Sequence, residues 1–202
     1  MKLYYSPAAC SLASHIALHE AGLPFTSEKV DLASHKTAGG EDFYQITSKG
    51  YVPAVKLADG SMLTEGGAIL QYIADQKPES DLAPKNGTME RYRLQEWLTF
   101  IGTEVHKPMG SFFNKALHED TKKATTALLG KRLDHVDHAL KGKQYLMGDQ
   151  FTVADAYLFT VTNWANFVSY DLGNRENLKA YMGRVAARPQ VQAALKAEGL
   201  VK

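Results

Sequence analysis

The chain contains a single cysteine, Cys10, among its 202 residues. One cysteine cannot form a disulfide within the chain, and without a Cys-x-x-Cys pair no redox cycle between two cysteines of one chain is possible. Scarcity of cysteine is typical of proteins from a reducing compartment, so we expect a cytoplasmic protein. The first residues carry one lysine and then Pro7, and they lack the long apolar run of a signal peptide.

The sequence also lacks an excess of either charge, since 23 Lys and Arg oppose 22 Asp and Glu and leave a formal net charge of +1. This balance gives no electrostatic reason to expect a nucleic acid or an anionic membrane as partner. No apolar run approaches the ~20 residues of a transmembrane helix. A phosphate-binding loop, a hydrolase nucleophile elbow and a Ser/His/Asp set are missing as well.

A metal site is not expected either. His135 and His138 accompany Asp134 and Asp137 in one run of the second half, and these residue types can ligate metals. The side of the helix on which they would lie is polar throughout, which favours a solvated face over a metal site.

The sequence changes character near residue 80. Before it, strand-like and helix-like runs alternate in the order β-α-β, an irregular helical stretch, then β-β-α, with a strong hairpin signal at Asp59-Gly60. After it, apolar residues recur at helical spacing. Residues 77–87 contain two prolines, a glycine and no periodicity. We therefore predict an α/β domain over residues 1–80, a linker over 81–87 and an all-helical bundle over 88–202.

The patterns predict individual elements within both domains. Strands are expected at 2–5, 25–32, 54–57 and 61–63. The first two should form a parallel pair, because a strand, a helix and a strand imply a crossover connection. Helices are expected at 11–21, 66–76, 88–108, 121–140, 153–167, 177–187 and 191–197.

Cys10 follows a short loop after the first strand and opens the first helix. A helix N-terminus offers free N–H groups and a partial positive charge, and both favour a thiolate over a thiol. Such a position can lower the pKa of a cysteine from ~8.5 to a value between ~3.5 and ~7.5. The same terminus could instead favour the thiolate of a bound ligand, and a lone cysteine can also be a buried structural residue.

Two further positions lie where backbone groups could bind a ligand. Pro53 marks a strand start or edge, and a cis Val52–Pro53 bond would turn the Val52 backbone outward to pair with an extended peptide. An ordinary trans turn is the alternative. Glu65 and Gly66 open a second helix, where N–H groups bind carboxylates readily and Glu65 could meet an ammonium group. A plain helix start with an acidic first turn explains them equally well.

The long helix after the linker carries a small polar face made of Thr99, Gly102, Thr103 and His106. Such a face could line a cleft with His106 projecting into it, although a histidine on a helix is usually solvated. Residues 151–155 have the form of a structural capping box, with Thr152 as cap and Asp155 reaching back.

Taken together, these runs resemble the cytosolic glutathione transferases, most closely the bacterial beta class. The resemblance spans the whole chain, and its specificity comes from the order and spacing of several modest motifs. The motifs are Met-Lys-Leu-Tyr-Tyr-Ser-Pro-Ala-Ala-Cys-Ser-Leu at 1–12, Gly-Tyr-Val-Pro-Ala at 50–54, Leu-Thr-Glu-Gly at 63–66, Glu-Trp-Leu at 96–98, Thr-Glu-Val-His-Lys at 103–107 and Phe-Thr-Val-Ala-Asp-Ala-Tyr-Leu-Phe at 151–159.

The resemblance implies a thioredoxin-like N-terminal domain, an all-helical C-terminal domain and, usually, a homodimer. It implies that Cys10 lies at the sulfur of glutathione, with His106 near it, as the catalytic residues. It also implies a cis Pro53. The expected glutathione-binding residues are Cys10, Ser11, His35, Val52, Pro53, Glu65, Gly66, Thr99, Thr103, Glu104, Val105 and His106, some of them from the partner subunit, and Lys107 and Trp164 are expected near the electrophile.

Two positions depart from the pattern of the class. A lysine is common where this chain has His35, so the grip on the glycyl carboxylate of glutathione should be weaker. An asparagine is common where this chain has Thr99, which has a shorter reach.

The implied activity is conjugation of glutathione to hydrophobic electrophiles, without a metal. Related classes use a tyrosine or serine hydroxyl to activate the thiol, so Tyr5 and Ser11 are rivals of Cys10. Alternatives to conjugation are thiol-disulfide transfer through a mixed disulfide of Cys10 with glutathione, and a non-catalytic carrier or interaction module.

Overall fold

A computed structural model describes residues 1–202. The chain forms two compact units, one made of Met1–Ala83 with Pro189–Lys202 and the other of Pro84–Arg188. The boundary between the two units lies between Ala83 and Pro84, inside the segment 81–87 that we predicted as a linker. The last residues depart from the predicted division, because residues 189–202 pack with the α/β unit and not with the helices that precede them.

The first unit is built on a five-stranded sheet in the order β3-β2-β1-β4-β5. Its elements in chain order are β1 (Lys2–Tyr5), α1 (Ser11–Ala21), β2 (Thr26–Asp31), β3 (Lys36–Thr37), α2 (Phe43–Ile46), β4 (Ala54–Lys56), β5 (Met62–Thr64), α3 (Gly66–Gln76), a 3₁₀ turn (Pro78–Ser80) and, from the end of the chain, α10 (Pro189–Ala197).

Strand β1 occupies the centre of the sheet, and its Leu3 and Tyr4 are buried. It pairs in parallel with β2 and antiparallel with β4, which confirms the predicted parallel pair. The β4–β5 hairpin turns at Gly60, whose φ of 86° lies in the region that glycine tolerates best. Only the short strand β3 was not predicted, because its two residues lie in a polar stretch without alternation.

Helix α1 is the central helix of this unit. Every residue from Ser11 to Leu18 is buried, so the helix shows no polar face to solvent over that stretch. It packs against β1, α3 and α10. Such all-round packing explains why its sequence is apolar and small on most sides, as expected of a buried helix.

The second unit is entirely helical. Its elements in chain order are α4 (Met89–Phe100), a π-helical segment (Ile101–His106), α5 (Lys107–Ser111), α6 (Glu119–Leu140), α7 (Val153–Asn163), α8 (Ala165–Val168) and α9 (Glu176–Ala186). Together the two units confirm the predicted thioredoxin-like α/β domain and helical domain. None of the helices is both long and apolar enough to span a membrane.

The helix predicted over 88–108 contains a feature that periodicity did not reveal. Its residues Ile101–His106 are wound as a π-helix between α4 and α5. Short π-helical segments inside α-helices are frequent at functional sites. This segment carries Thr103, Glu104, Val105 and His106, which the resemblance assigns to the glutathione site.

Candidate functional site

The loop between β1 and α1 is closed by one buried hydroxyl. Ser11 Oγ accepts a hydrogen bond from the backbone N–H of Ser6 at 3.2 Å and lies 3.3 Å from the Ser6 carbonyl, to which it donates. The Ser11 side chain is completely buried. Because its hydroxyl proton is donated to the Ser6 carbonyl, Ser11 is a poor candidate for activating a thiol. Its hydroxyl stabilises the loop instead.

Cys10 occupies the N-cap position of α1 and is half-buried. Its Sγ donates to the carbonyl oxygen of Val52 at 3.3 Å. The Val52–Pro53 peptide bond is cis, as the resemblance implied. The structure therefore brings together a thiol at a helix N-terminus and the backbone segment that was expected to pair with a peptide ligand.

A buried carboxylate from the end of the chain anchors the same loop. Glu198 Oε2 accepts a hydrogen bond from the backbone N–H of Ala8 at 3.0 Å, and Oε1 lies 2.9 Å from His15 Nδ1. The side chains of Glu198 and His15 are almost completely buried. Ala8 has a φ of 61°, an uncommon value for a residue with a Cβ, so the loop needs such an anchor to hold its shape.

Tyr5, the other rival for thiol activation, lies at the end of β1, and its ring packs against the His15 ring at 5.3 Å. Burial, and then the charge of Glu198, raises the pKa of Tyr5 above its usual value. Tyr5 therefore keeps its proton at neutral pH and cannot act as a base.

Glu65 immediately precedes α3 and has a φ of 73°, which is strained for a residue other than glycine. Its exposed carboxylate accepts hydrogen bonds from Lys49 and, at 3.0 Å, from the Tyr51 hydroxyl. The hydrogen bond to Glu65 raises the pKa of Tyr51. Gly66 lies beside Pro53, since a Cβ at Gly66 would be 3.9 Å from Pro53 Cγ. This second helix start thus combines an acceptor for an ammonium group with nearby donors.

His35 is held by its backbone and by two neighbours. Its φ is 51°, its Nδ1 lies 2.9 Å from the Gly50 carbonyl oxygen, and its ring packs on Tyr44 at 4.6 Å. The Gly50 carbonyl accepts from Nδ1–H, and Nε2 lies 3.4 Å from the Tyr44 hydroxyl.

In the helical unit, the polar residues around the π-helical segment are engaged with their own helix or with α6. Thr103 Oγ1 donates to the Thr99 carbonyl, and Thr99 Oγ1 donates to the carbonyl one turn earlier. Glu104 pairs with Arg132 of α6. Val105 is completely buried in the helical core, so its side chain is unavailable to a ligand and only its backbone could contribute.

His106, the last residue of the π-helical segment, is the best-placed functional group of this unit. Its Nδ1 lies 2.6 Å from the hydroxyl of Tyr157, and its ring meets the Trp164 ring edge-on at 4.9 Å. Burial, together with the adjacent Lys107 charge, lowers the pKa of His106 to about 4. The imidazole is therefore neutral at physiological pH and can donate one hydrogen bond, but it is not a cation.

Helix α7, which supplies Tyr157 and Trp164, begins with the predicted capping box at Thr152 and Asp155. The buried Asp155 carboxylate accepts hydrogen bonds from the Thr152 N–H and hydroxyl, the Leu146 N–H and the Tyr181 hydroxyl. Burial raises the pKa of Asp155 to about 6, although these hydrogen bonds lower it. The network fixes the first turn of α7 and therefore the position of Tyr157.

Four residues that contact the predicted site were missed in the sequence: Lys49, Tyr51, Tyr157 and Glu198. Tyr157 lies in an unbroken buried run, where an aromatic residue is expected to be core. Glu198 lies in a polar stretch near the end of the chain, and nothing in that stretch indicates burial. Lys49 and Tyr51 flank a glycine before Pro53 and could have been suspected from that position alone.

The residues considered for a metal have other partners. Asp134 pairs with Arg175, Asp137 accepts from the N–H of Leu178, and the His135 ring packs against Trp97. No group of three or more His, Cys, Asp and Glu side chains is placed to hold a metal ion.

The chain matches known proteins along its length. The N-terminal domain model of glutathione S-transferases matches residues 8–76, and the C-terminal domain model matches residues 100–189. Glutathione S-transferase GstA of Escherichia coli O157:H7 is 47% identical over 200 residues, which cover 99% of this chain and 100% of that protein.

Solved structures of bacterial glutathione transferases share the fold. A sphingomonad glutathione S-transferase complexed with glutathione has a TM-score of 0.94 at 47% identity, covering 100% of both chains. The bacterial beta class enzyme of Sphingomonas chungbukensis has a TM-score of 0.94 at 49% identity, again covering 100% of both chains. The chain therefore belongs to the glutathione S-transferase family and, within it, to the bacterial beta class.

Proposed function

We propose that this glutathione transferase conjugates reduced glutathione to hydrophobic electrophiles, with Cys10 at the glutathione sulfur. The observation that carries the proposal is the contact between Cys10 Sγ and the Val52 carbonyl at the start of α1. In this contact the Cys10 thiol, which can interact with a thiolate, lies beside the Val52 carbonyl, which can accept a hydrogen bond from the cysteinyl N–H of glutathione. The sphingomonad relative, a complex with glutathione at 47% identity, supports glutathione as the co-substrate.

In the proposed reaction the glutathione thiolate donates an electron pair to an electron-poor carbon and forms a C–S bond. A leaving group departs with its bonding pair, or, in an addition, the displaced π pair takes a proton from water. The thiol proton passes to solvent when the thiolate forms. The positive end of the α1 dipole and hydrogen bonds from Cys10 and neutral His106 would stabilise the thiolate at neutral pH.

The remaining contacts follow the chemistry of glutathione. Glu65 would accept from the γ-glutamyl ammonium group, the N-terminus of α3 at Gly66 would bind its carboxylate, and His35 would line the glycyl end. Val52 and Pro53 would line the cysteinyl part. We propose contributions from Thr99, Thr103 and Glu104 and, through its backbone, from Val105, whereas Ser11 would act by shaping the Cys10 loop.

The electrophile end is proposed to involve Lys107 and Trp164. Trp164 is buried and has an exposed neighbour, Phe113, whose ring meets it edge-on at 5.5 Å. Lys107 is exposed and follows His106 directly. Aromatic surfaces next to a cation suit apolar electrophiles whose leaving groups acquire negative charge.

Thiol-disulfide transfer is a second candidate function, and the half-exposed position of Cys10 favours it. In that reaction the Cys10 thiolate would attack the glutathione sulfur of a mixed disulfide between glutathione and another thiol, break the S–S bond and release that thiol. A glutathione thiolate would then attack the Cys10–glutathione disulfide, release oxidised glutathione and restore the Cys10 thiolate. The same helix terminus would serve both chemistries, but the transferase names of the relatives favour conjugation over this reaction and over a non-catalytic carrier.

The first test combines conjugation kinetics with intact mass, using the wild type and Cys10→Ala. We expect the wild type to conjugate an activated aryl halide, and we expect it to gain one glutathione from oxidised glutathione within minutes. Cys10→Ala should gain none. If the variant also loses most of its kcat/KM for conjugation, Cys10 acts in both chemistries. Undiminished conjugation by the variant would remove Cys10 from the proposed conjugation mechanism and leave it only the disulfide reaction.

We further propose a cytoplasmic homodimer. Met89 and Tyr92 on α4 are 65% and 57% exposed, and Leu128 on α6 is 42% exposed. Large apolar residues on neighbouring helices of one unit suit contact with a second copy of the chain. The presence of a single cysteine suits the reducing cytoplasm.

His35→Lys should tighten the binding of glutathione. Lysine places a full positive charge at the end of a long side chain, and an exposed ion pair contributes ~0.2–1 kcal/mol, so we expect a dissociation constant lower by about threefold. Isothermal titration calorimetry at pH 7.5 measures this change, with Lys36→Ala, which alters an exposed neighbouring cation, as the control. Weaker binding by His35→Lys would mean that the contacts of His35 with Gly50 and Tyr44 matter more than charge.

A further inference from the structure

The short contact between His106 Nδ1 and the Tyr157 hydroxyl is surrounded by buried residues. Tyr157 is 6% exposed and belongs to α7, whose residues from Val153 to Thr162 are all buried. The two rings meet edge-on at 5.6 Å, and Trp164, at the end of the same helix, packs on the imidazole from another direction. The imidazole of His106 is therefore clamped between two aromatic residues of one helix.

A neutral imidazole carries one proton, which resides on either Nδ1 or Nε2. The hydrogen-bond partner of one ring nitrogen determines which of the two nitrogens carries the proton. A phenol gives up its proton far more readily than a neutral imidazole N–H, so the 2.6 Å contact is best formed with the Tyr157 hydroxyl as donor and Nδ1 as acceptor. With Nδ1 engaged as an acceptor, the proton of the ring lies on Nε2.

We propose that Tyr157 is a positioning residue for His106, donating to Nδ1 and so holding the imidazole in the Nε2–H tautomer that donates to the glutathione sulfur. The inference rests on the proposed function of His106. Without the Tyr157 hydroxyl, the ring would populate the Nδ1–H tautomer as well, and a bare Nε2 lone pair would repel a thiolate instead of stabilising it. A buried, uncharged donor of this kind needs no proton uptake at neutral pH, because the pKa of His106 is lowered to about 4.

The tautomer of His106 can be measured directly, without an activity assay. Protein labelled with nitrogen-15 in histidine gives long-range proton–nitrogen spectra that distinguish the two tautomers, and His106→Asn identifies the signals of His106. We expect Nε2–H alone in the wild type between pH 6 and 8, in keeping with that lowered pKa. Tyr157→Phe should show a mixture. An Nδ1–H tautomer in the wild type, or unchanged signals in Tyr157→Phe, would overturn the proposal.

Kinetics provide the second readout, with Tyr145→Phe as the matched control. Tyr145 likewise uses its hydroxyl in a side-chain hydrogen bond, as the acceptor from Arg188 at 2.8 Å, but it has no part in the proposed site. For Tyr157→Phe we expect kcat/KM for conjugation to fall about tenfold, which is less than the ~10²–10⁴-fold contribution of a positioned proton donor or acceptor because His106 itself is retained. The acid limb of the pH profile should move to higher pH, with KM for glutathione nearly unchanged.

The role of His106 and the positioning role of Tyr157 can be refuted separately. If His106→Asn retains full conjugation activity, the role of His106 is refuted and that of Tyr157 with it, while wild-type activity still supports conjugation. If His106→Asn loses activity and Tyr157→Phe keeps both the rate and the pH profile of the wild type, only the positioning role is refuted. A fall in kcat/KM for Tyr145→Phe equal to that for Tyr157→Phe would assign the effect to stability and overturn the proposal as well.

Discussion

Asp155→Ala should lower the free energy of unfolding by about 3–5 kcal/mol. The variant removes a buried carboxylate and leaves the N–H groups of Leu146 and Thr152 without their acceptor, whereas the Tyr181 hydroxyl keeps the backbone carbonyl of residue 155. Each buried donor left unsatisfied costs about 1–3 kcal/mol. Urea denaturation followed by circular dichroism measures the change, with Asp149→Ala, an exposed acid just before the same helix, as the control.

The pH dependence of the same residue provides a sharper check. The folded state holds the Asp155 proton up to a pKa of about 6, above the usual aspartate value of 3.8. Stability contributed by this group is therefore present at low pH and is lost as the pH rises through that window. Asp155→Asn cannot titrate, so its stability relative to the wild type should improve as the pH rises from 4 to 6. A constant difference across that range would contradict the raised pKa.

The comparison with the wild type also separates Asp155 from His106. His106 has a folded pKa of about 4, below the usual histidine value of 6.5, so the unfolded state binds its proton more tightly. Its contribution has the opposite sign, since stability falls as the pH drops from 6.5 towards 4. Because His106 is present in both proteins, its contribution cancels in the difference.

Glu198→Ala should be nearly as damaging, with a loss of about 2–4 kcal/mol and a disturbed Cys10 loop. The buried ring nitrogen of His15 and the backbone N–H of Ala8 both lose their partner. The rate at which an aromatic disulfide reagent modifies Cys10 reports on the loop, and urea denaturation reports on the fold. We expect modification at a clearly changed rate under conditions where the variant is still folded.

The control for this prediction is Lys196→Ala, an exposed residue near the end of α10 and two positions before Glu198. Glu198→Gln keeps the size of the side chain and one carbonyl acceptor, so it should be intermediate in stability and remain folded. If Glu198→Ala matches Lys196→Ala in both measurements, the carboxylate does not anchor the loop.

The sequence predicted the local elements well where periodicity or turn chemistry determines them. Helices α1 and α3 begin and end where they were predicted, and the β4–β5 hairpin turns at Asp59-Gly60. The capping box of α7 is present because its partners are three residues apart and carry their signal in one short run. The two-residue strand β3 was missed because its pairing with β2, and no pattern of its own, defines it.

The candidate site was only partly predictable, because its missing members act through contacts distant in sequence. Tyr157 reaches His106 across 51 residues, and Glu198 reaches Ala8 across 190. No local pattern records such contacts. Val105 is the opposite case. Its place in the motif at 103–107 led to its prediction as a glutathione-binding residue, but its side chain is buried in the core. The π-helical turn adds to the difficulty, because spacing rules for an α-helix do not hold within it.

The packing of residues 189–202 against α1 determines the order in which the protein can be completed during synthesis. Translation proceeds from the N-terminus, so the ribosome makes all of Pro84–Arg188 before it makes the helix that α1 requires. The Cys10 loop therefore acquires its anchor, Glu198, only after all of Pro84–Arg188 has been made, and a nascent chain that has not yet reached Glu198 lacks the finished thiol site.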